Sequence, residues 1–112
     1  MAQELQAFKA DFFKALANPL RIRILELLRD GDKYVHEIQE HMGIESAVVS
    51  QQLAILRAKN IVIGVKEGTR VMYSVKDPLL FDLLDVAKRI FHNSLSDTIQ
   101  MLQEMNDEEL GP

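Results

Sequence analysis

Apolar residues keep helical spacing on both sides of Gly43: Val35, Ile38 and Met42 precede it, and Val49, Leu53 and Leu56 follow it. The i, i+4, i+7 pattern of the second set turns one face of a helix inward. A glycine between two such runs supplies the residue that lets the chain reverse direction. Two short helices joined by a tight, glycine-containing turn form a helix-turn-helix.

Downstream the period changes. Ile61-Val62-Ile63-Gly64-Val65 and Val71-Met72-Tyr73-Ser74-Val75 are β-branched runs on either side of Lys66-Glu67-Gly68-Thr69-Arg70, which predicts a β-hairpin with a charged tip. Upstream, Leu5, Phe8, Phe12, Ala15 and Leu16 form one apolar stripe on a helix. Asn18-Pro19 interrupts it, and Asn as N-cap with Pro at the first helical position starts a second helix whose apolar residues are Ile22, Ile24, Leu25 and Leu28. Asp30-Gly31-Asp32 ends that helix.

The final segment, from about Asp77 to Met105, reads as one long helix with Asp77 as N-cap and Pro78 at N1. Its apolar residues make two adjoining rows, Leu80, Leu84, Ala87, Phe91 and Leu95 beside Leu79, Leu83, Val86 and Ile90. A stripe this wide needs more cover than the rest of a small chain supplies, so a second copy is expected to cover it. The expected fold is mainly α with a small β-hairpin, a winged helix-turn-helix that forms a homodimer. It occupies one domain over residues 1–105, followed by an acidic flexible tail over residues 106–112.

The composition fits one domain: 112 residues, 47% hydrophobic and 27% charged, enough apolar surface for a small core. No run approaches the roughly 18 apolar residues of a membrane span. The opening Met1-Ala2-Gln3-Glu4 lacks the basic and apolar regions of a signal peptide, so the cytoplasm is the expected compartment. With no cysteine, the chain has no disulfide, thiolate zinc site or thiol switch.

A net charge of −4 argues on average against nucleic acid, which attracts lysine and arginine. The charge is uneven, however. Residues 46–76 carry five Lys+Arg against one Asp+Glu, whereas residues 77–112 carry two against eight. A phosphate-facing surface would therefore be local, with the acid placed elsewhere.

That basic segment holds the second helix of the helix-turn-helix, read as spanning about Ser46 to Lys59. With Val49, Leu53 and Leu56 inward, Ala47, Gln51 and Ala54 face outward, with Val48 and Ile55 beside them, and this face carries almost no charge. Small and amide side chains allow close approach to base edges. Gln51 can pair with adenine through two hydrogen bonds, Ala47 and Val48 can touch thymine methyls, and Ser46 and Ser50 can bond phosphates or bases. Arg57 and Lys59 near the helix end, with Lys66 and Arg70 on the hairpin, are long cations suited to a DNA backbone. Gln52 completes the candidate set, and double-stranded DNA is the expected partner.

The sequence resembles the ArsR/SmtB winged-helix regulators of bacteria and archaea. The likeness covers roughly Phe12 to Phe91. It runs through Phe13-Lys14-Ala15-Leu16-Ala17-Asn18-Pro19-Leu20-Arg21-Ile22-Arg23-Ile24-Leu25, then Val49-Ser50-Gln51-Gln52-Leu53 with Leu56-Arg57, and lastly Val71-Met72-Tyr73-Ser74-Val75. It implies a homodimer joined through the first and last helices. Such a dimer would bind an imperfect inverted repeat, usually as a repressor released by an inducer. Gln51 stands where the family often has histidine, so the DNA sequence read need not be a relative's.

Many members of that family sense metal or metalloid ions, and here the ligands depart from the pattern. The family's thiolate motif falls at Tyr34 and His36, neither a soft ligand of that kind. Its other site falls at Asp77, Leu79, Ile90 and Asn93, of which only Asp77 is a strong ligand, and zinc wants about four N, O or S donors. No metal or cofactor is therefore expected. A non-standard site from His92 with Asp85, or with Asp82 across a dimer, stands as one alternative, and a winged-helix module that docks a protein on its apolar outer face as another. No phosphate loop, nucleophile elbow or metal-hydrolase helix is present, and Gly64 and Gly68 are too isolated for a nucleotide cradle, so no enzyme is expected.

Overall fold

A computed structural model describes residues 2–109. In chain order the elements are α1 (Ala2–Leu16), α2 (Pro19–Leu28), β1 (Lys33–Tyr34), α3 (Val35–Met42), α4 (Ser46–Ala58), β2 (Val62–Glu67), β3 (Arg70–Val75) and α5 (Leu79–Glu109). They fall into two compact units, one ending at Pro78 and the other beginning at Leu79. The helical fold with its hairpin is the winged helix-turn-helix expected from the sequence.

The core of the first unit is built from the end of α1, three further helices and the entry to the hairpin. Ile24, Leu25 and Leu28 of α2 meet Ile38 and Met42 of α3, Val49, Leu53 and Leu56 of α4, and Ile61 and Val62. Ile22 and Val35, expected on the buried faces, are only half-buried. Ile22 lies about 110° round α2 from the centre of its buried face, and Val35 is the first residue of α3, where the helix leaves the core. In α1 burial is confined to Ala15 and Leu16, while Leu5 and Phe8 are exposed and Phe12 half-buried.

Caps set the helix boundaries. The Asn18 side chain accepts hydrogen bonds from the backbone N–H groups of Leu20 at 2.9 Å and Arg21 at 3.2 Å, with Pro19 at the first turn of α2. At the start of α3 the Glu37 carboxylate reaches back to accept from the Tyr34 N–H at 2.9 Å. Gly43 ends α3 at φ +66°, its N–H donating to the Gln39 carbonyl at 2.8 Å. This left-handed residue is the tight turn the sequence predicts between α3 and α4.

The sheet has three strands in the order β1-β3-β2, all antiparallel. Sequence periodicity shows only the β2–β3 hairpin; β1 has two residues, too short to show an alternation. The hairpin ladder also runs further than expected, closing with Glu67 opposite Arg70. Its tip is thus Gly68-Thr69 rather than five residues. Gly68 has φ +64° and Thr69 does not, the pattern of a type II′ turn, whose twist suits a hairpin.

The second unit is α5, 31 residues, about 46 Å long at 1.5 Å per residue. It begins at Leu79 and continues through Glu109, past Asn106 where the sequence places the start of a tail. An i→i+4 bond between the Gln100 and Glu104 side chains supports the late turns. Residues 110–112 of the expected tail lie outside the described residues. No helix among the described residues is long and apolar enough to cross a membrane.

Candidate nucleic-acid interface

Helix α4 presents four distinct sides, each set by what it touches. Val49, Leu53 and Leu56 are wholly buried against the core. At about 100° per residue, Ala47, Gln51 and Ala54 lie opposite, and all three are exposed. Val48 and Ile55 beside them are half-buried.

One flank of α4 is held by the other helices. Gln52 is half-buried, and its amide oxygen accepts from the Arg21 guanidinium at 2.9 Å. The same guanidinium donates through Nε to the Ala15 carbonyl at 2.6 Å. Arg21 thereby joins the ends of α1 and α2 to α4. Further along that flank, Lys59 Nζ donates to Asp11 Oδ2 of α1 at 2.6 Å. Of the candidate DNA contacts, Gln52 and Lys59 are thus already engaged inside the molecule.

The opposite flank, with Ser46 and Ser50, lines a groove of about 480 Å³ shared with α3 and the β2–β3 hairpin. The hairpin is the wing of the fold. Arg57 is exposed in the last turn of α4, as are Lys66 and Arg70 on the wing. The structure therefore brings Ser46, Ser50 and Arg70 to one groove, sets Ala47 and Gln51 on the outward face beside it, and leaves Arg57 and Lys66 exposed.

The wing is tied to the start of α3 by contacts that the sequence did not reveal. Tyr34 pairs in register with Met72. Its hydroxyl donates to Glu67 Oε2 at 2.6 Å, and the Arg70 guanidinium lies 4.7 Å from the centre of its ring. The His36 ring stacks nearly parallel to it, centroids 5.7 Å apart. The hydrogen bond to Glu67, with smaller contributions from desolvation and the carboxylate charge, raises the Tyr34 pKa above its ordinary value. The shift favours the protonated phenol, the form that donates to Glu67.

The joint between α4 and the wing is local. Asn60 takes φ +59°, its N–H donates to the Arg57 carbonyl at 3.0 Å, and the Ile61 N–H donates to the Leu56 carbonyl at 3.0 Å. These two bonds form a Schellman motif, with buried Leu56 and Ile61 as the apolar pair that accompanies it.

On α5, Asp85, Lys88, Arg89, His92 and Asn93 line a shallow recess. His92 and Asp85 thus sit among two cations. Among the described residues no three His, Cys, Asp or Glu side chains gather as a metal site would require.

Residues 18–63 match the family described as bacterial regulatory protein, arsR family. Over 105 residues the chain is 40% identical to an uncharacterized HTH-type transcriptional regulator of Mycobacterium tuberculosis, Rv0081, covering 93% of this chain and 92% of the relative. The crystal structure of Rv0081 superposes with a TM-score of 0.78 at 43% identity, over 85% of this chain and 96% of that one. The HTH-type transcriptional repressor SmtB of the same organism is 35% identical over 75 residues, 67% of this chain and 56% of SmtB. A homodimeric winged helix-turn-helix DNA-binding domain from Mycobacterium bovis, Mb0332, has a TM-score of 0.73 at 29% identity over 80% of this chain and 83% of that one. With its matched segment spanning α2, α3 and α4 and near full-length likeness to such a regulator, the chain belongs to the ArsR family of helix-turn-helix, DNA-binding transcriptional regulators.

Proposed function

We propose that this chain acts in the cytoplasm as a homodimeric repressor that binds an inverted-repeat operator, with α4 of each subunit in successive major grooves about 34 Å apart. The observation that carries the reading is the outward face of α4. Ala47 and Gln51 are exposed and uncharged beside exposed cations at Arg57, Lys66 and Arg70, on a chain of net charge −4.

The residues divide by role. Gln51, Ala47 and Val48 read base edges, Ser46 and Ser50 bond bases or backbone, and Arg57, Lys66 and Arg70 bind phosphates. Gln52 and Lys59, engaged by Arg21 and Asp11, hold α4 in place. The likeness to the repressor SmtB and to the homodimeric Mb0332 domain supports the repressor and the dimer.

Fluorescence anisotropy with the chain's own promoter and a scrambled duplex, at two salt concentrations, tests the reading. Specific binding should weaken steeply with salt, and Gln51→Ala should cost about 1–3 kcal/mol on the promoter alone. Absent or salt-independent binding overturns the reading.

A further inference from the structure

We propose that the groove between the start of α3, the first two turns of α4 and the wing seats a backbone phosphodiester of the operator, and that Tyr34 is a positioning residue that holds Arg70 ready for it. This rests on the DNA-binding reading above and adds where one strand is gripped.

The chemistry of the groove selects its ligand. Ser46, Ser50, Thr69, Gln39 and Tyr73 line it with hydroxyl and amide groups, Arg70 supplies a guanidinium, and no carboxylate is among its lining residues. A singly charged group with several acceptor oxygens and no base-specific pattern matches that set, and a phosphodiester is such a group. Placement agrees. Ser46 and Ser50 occupy the flank of α4 next to exposed Ala47 and Gln51, so a duplex whose major groove receives that face carries a backbone along this flank.

Arg70 would otherwise be a mobile side chain at the tip of a two-residue turn, and ordering it on DNA would cost affinity. Tyr34 removes much of that freedom. Its ring lies 4.7 Å from the guanidinium, and its hydroxyl fixes Glu67 at 2.6 Å, the residue directly across the ladder from Arg70. The Glu67 carboxylate keeps its charge, but the bond to the phenol holds it on Tyr34 rather than on Arg70. A planar cation resting on an aromatic face keeps its N–H edge available for phosphate oxygens.

A double-mutant cycle read by DNA anisotropy tests this. Arg70→Gln should weaken binding to the promoter and the scrambled duplex alike, by about tenfold, and lower the salt slope by about one. Tyr34→Leu should weaken both several-fold, yet add nothing in the Arg70→Gln background. Tyr34→Phe, which keeps the ring under Arg70 but releases Glu67, should weaken binding less than Tyr34→Leu does. Additive losses, or unchanged affinity and salt slope in Arg70→Gln, overturn the proposal. Thermal melts identify a variant that fails to fold; should Tyr34→Leu do so, Arg70→Gln on its tip and Ser50→Ala on its exposed flank still decide whether the seat exists. A parent protein that ignores promoter DNA overturns the function itself. One that binds and responds to Gln51→Ala but not to Arg70→Gln overturns only the seat.

Discussion

Gly64 shows how one atom can constrain the wing. It stands opposite Tyr73 in the ladder, and a Cβ there would lie 2.8 Å from Val71 Cγ1 and 3.1 Å from Tyr73 Cε1. Valine is stiff at χ1 and the Tyr73 ring closes the other side, so relieving the overlap is costly. Gly64→Ala is expected to lower stability by about 1–3 kcal/mol, as overpacking does; a urea midpoint equal to the parent's would contradict this account. Arg21 makes the complementary point. Its bonds to Ala15 and Gln52 give Gln52 an intramolecular role, whereas the sequence alone places Gln52 among the candidate DNA contacts. The helical pattern tells which side of α4 a residue occupies, and only the fold tells what stands on that side.

At the scale of elements, α4 and the wing act together because their joint leaves little slack. The Schellman motif at Asn60 ends the helix and delivers Ile61 to the core within two residues. Asn60→Gly should be nearly neutral, since glycine takes the left-handed conformation freely. Asn60→Val should cost about 1–2 kcal/mol, the penalty for a side chain branched at Cβ in that region, visible as a lower melting temperature. The same strain would loosen the wing, so DNA affinity should fall with it. The short β1 serves the other end of this arrangement. Its pairing with β3 places Tyr34 at the sheet edge beside Met72, and its two residues leave no periodic trace in the sequence.

For the whole molecule, the unpartnered surface is the leading fact. Helix α1 exposes Leu5 and Phe8, the latter at 76%, and α5 exposes Ile90, Phe91, Leu95, Ile99 and Leu102, with Phe91 at 71%. Apolar faces of this extent on a single chain mark an association surface. Sedimentation at micromolar concentration should show a dimer, and Phe91→Asp should shift it to monomer and weaken promoter binding by at least about tenfold, because both half-sites must be held at once. A monomeric parent with full operator affinity would refute the homodimer.

The order of the helices and the hairpin, the inward row of α4, the Asn18 cap and the Gly43 turn were legible in the residues themselves. Each depends on interactions within a few positions along the chain, where spacing and backbone preference suffice. The tertiary structure decided the rest: the pairing of β1, the engagement of Gln52 and Lys59, and the meeting of Tyr34 with Glu67 and Arg70. Those partners stand 31, 48 and 33 residues apart for Arg21–Gln52, Asp11–Lys59 and Tyr34–Glu67. Periodicity fixes the direction a side chain faces, but contact across such separations exists only once the helices and the sheet have packed.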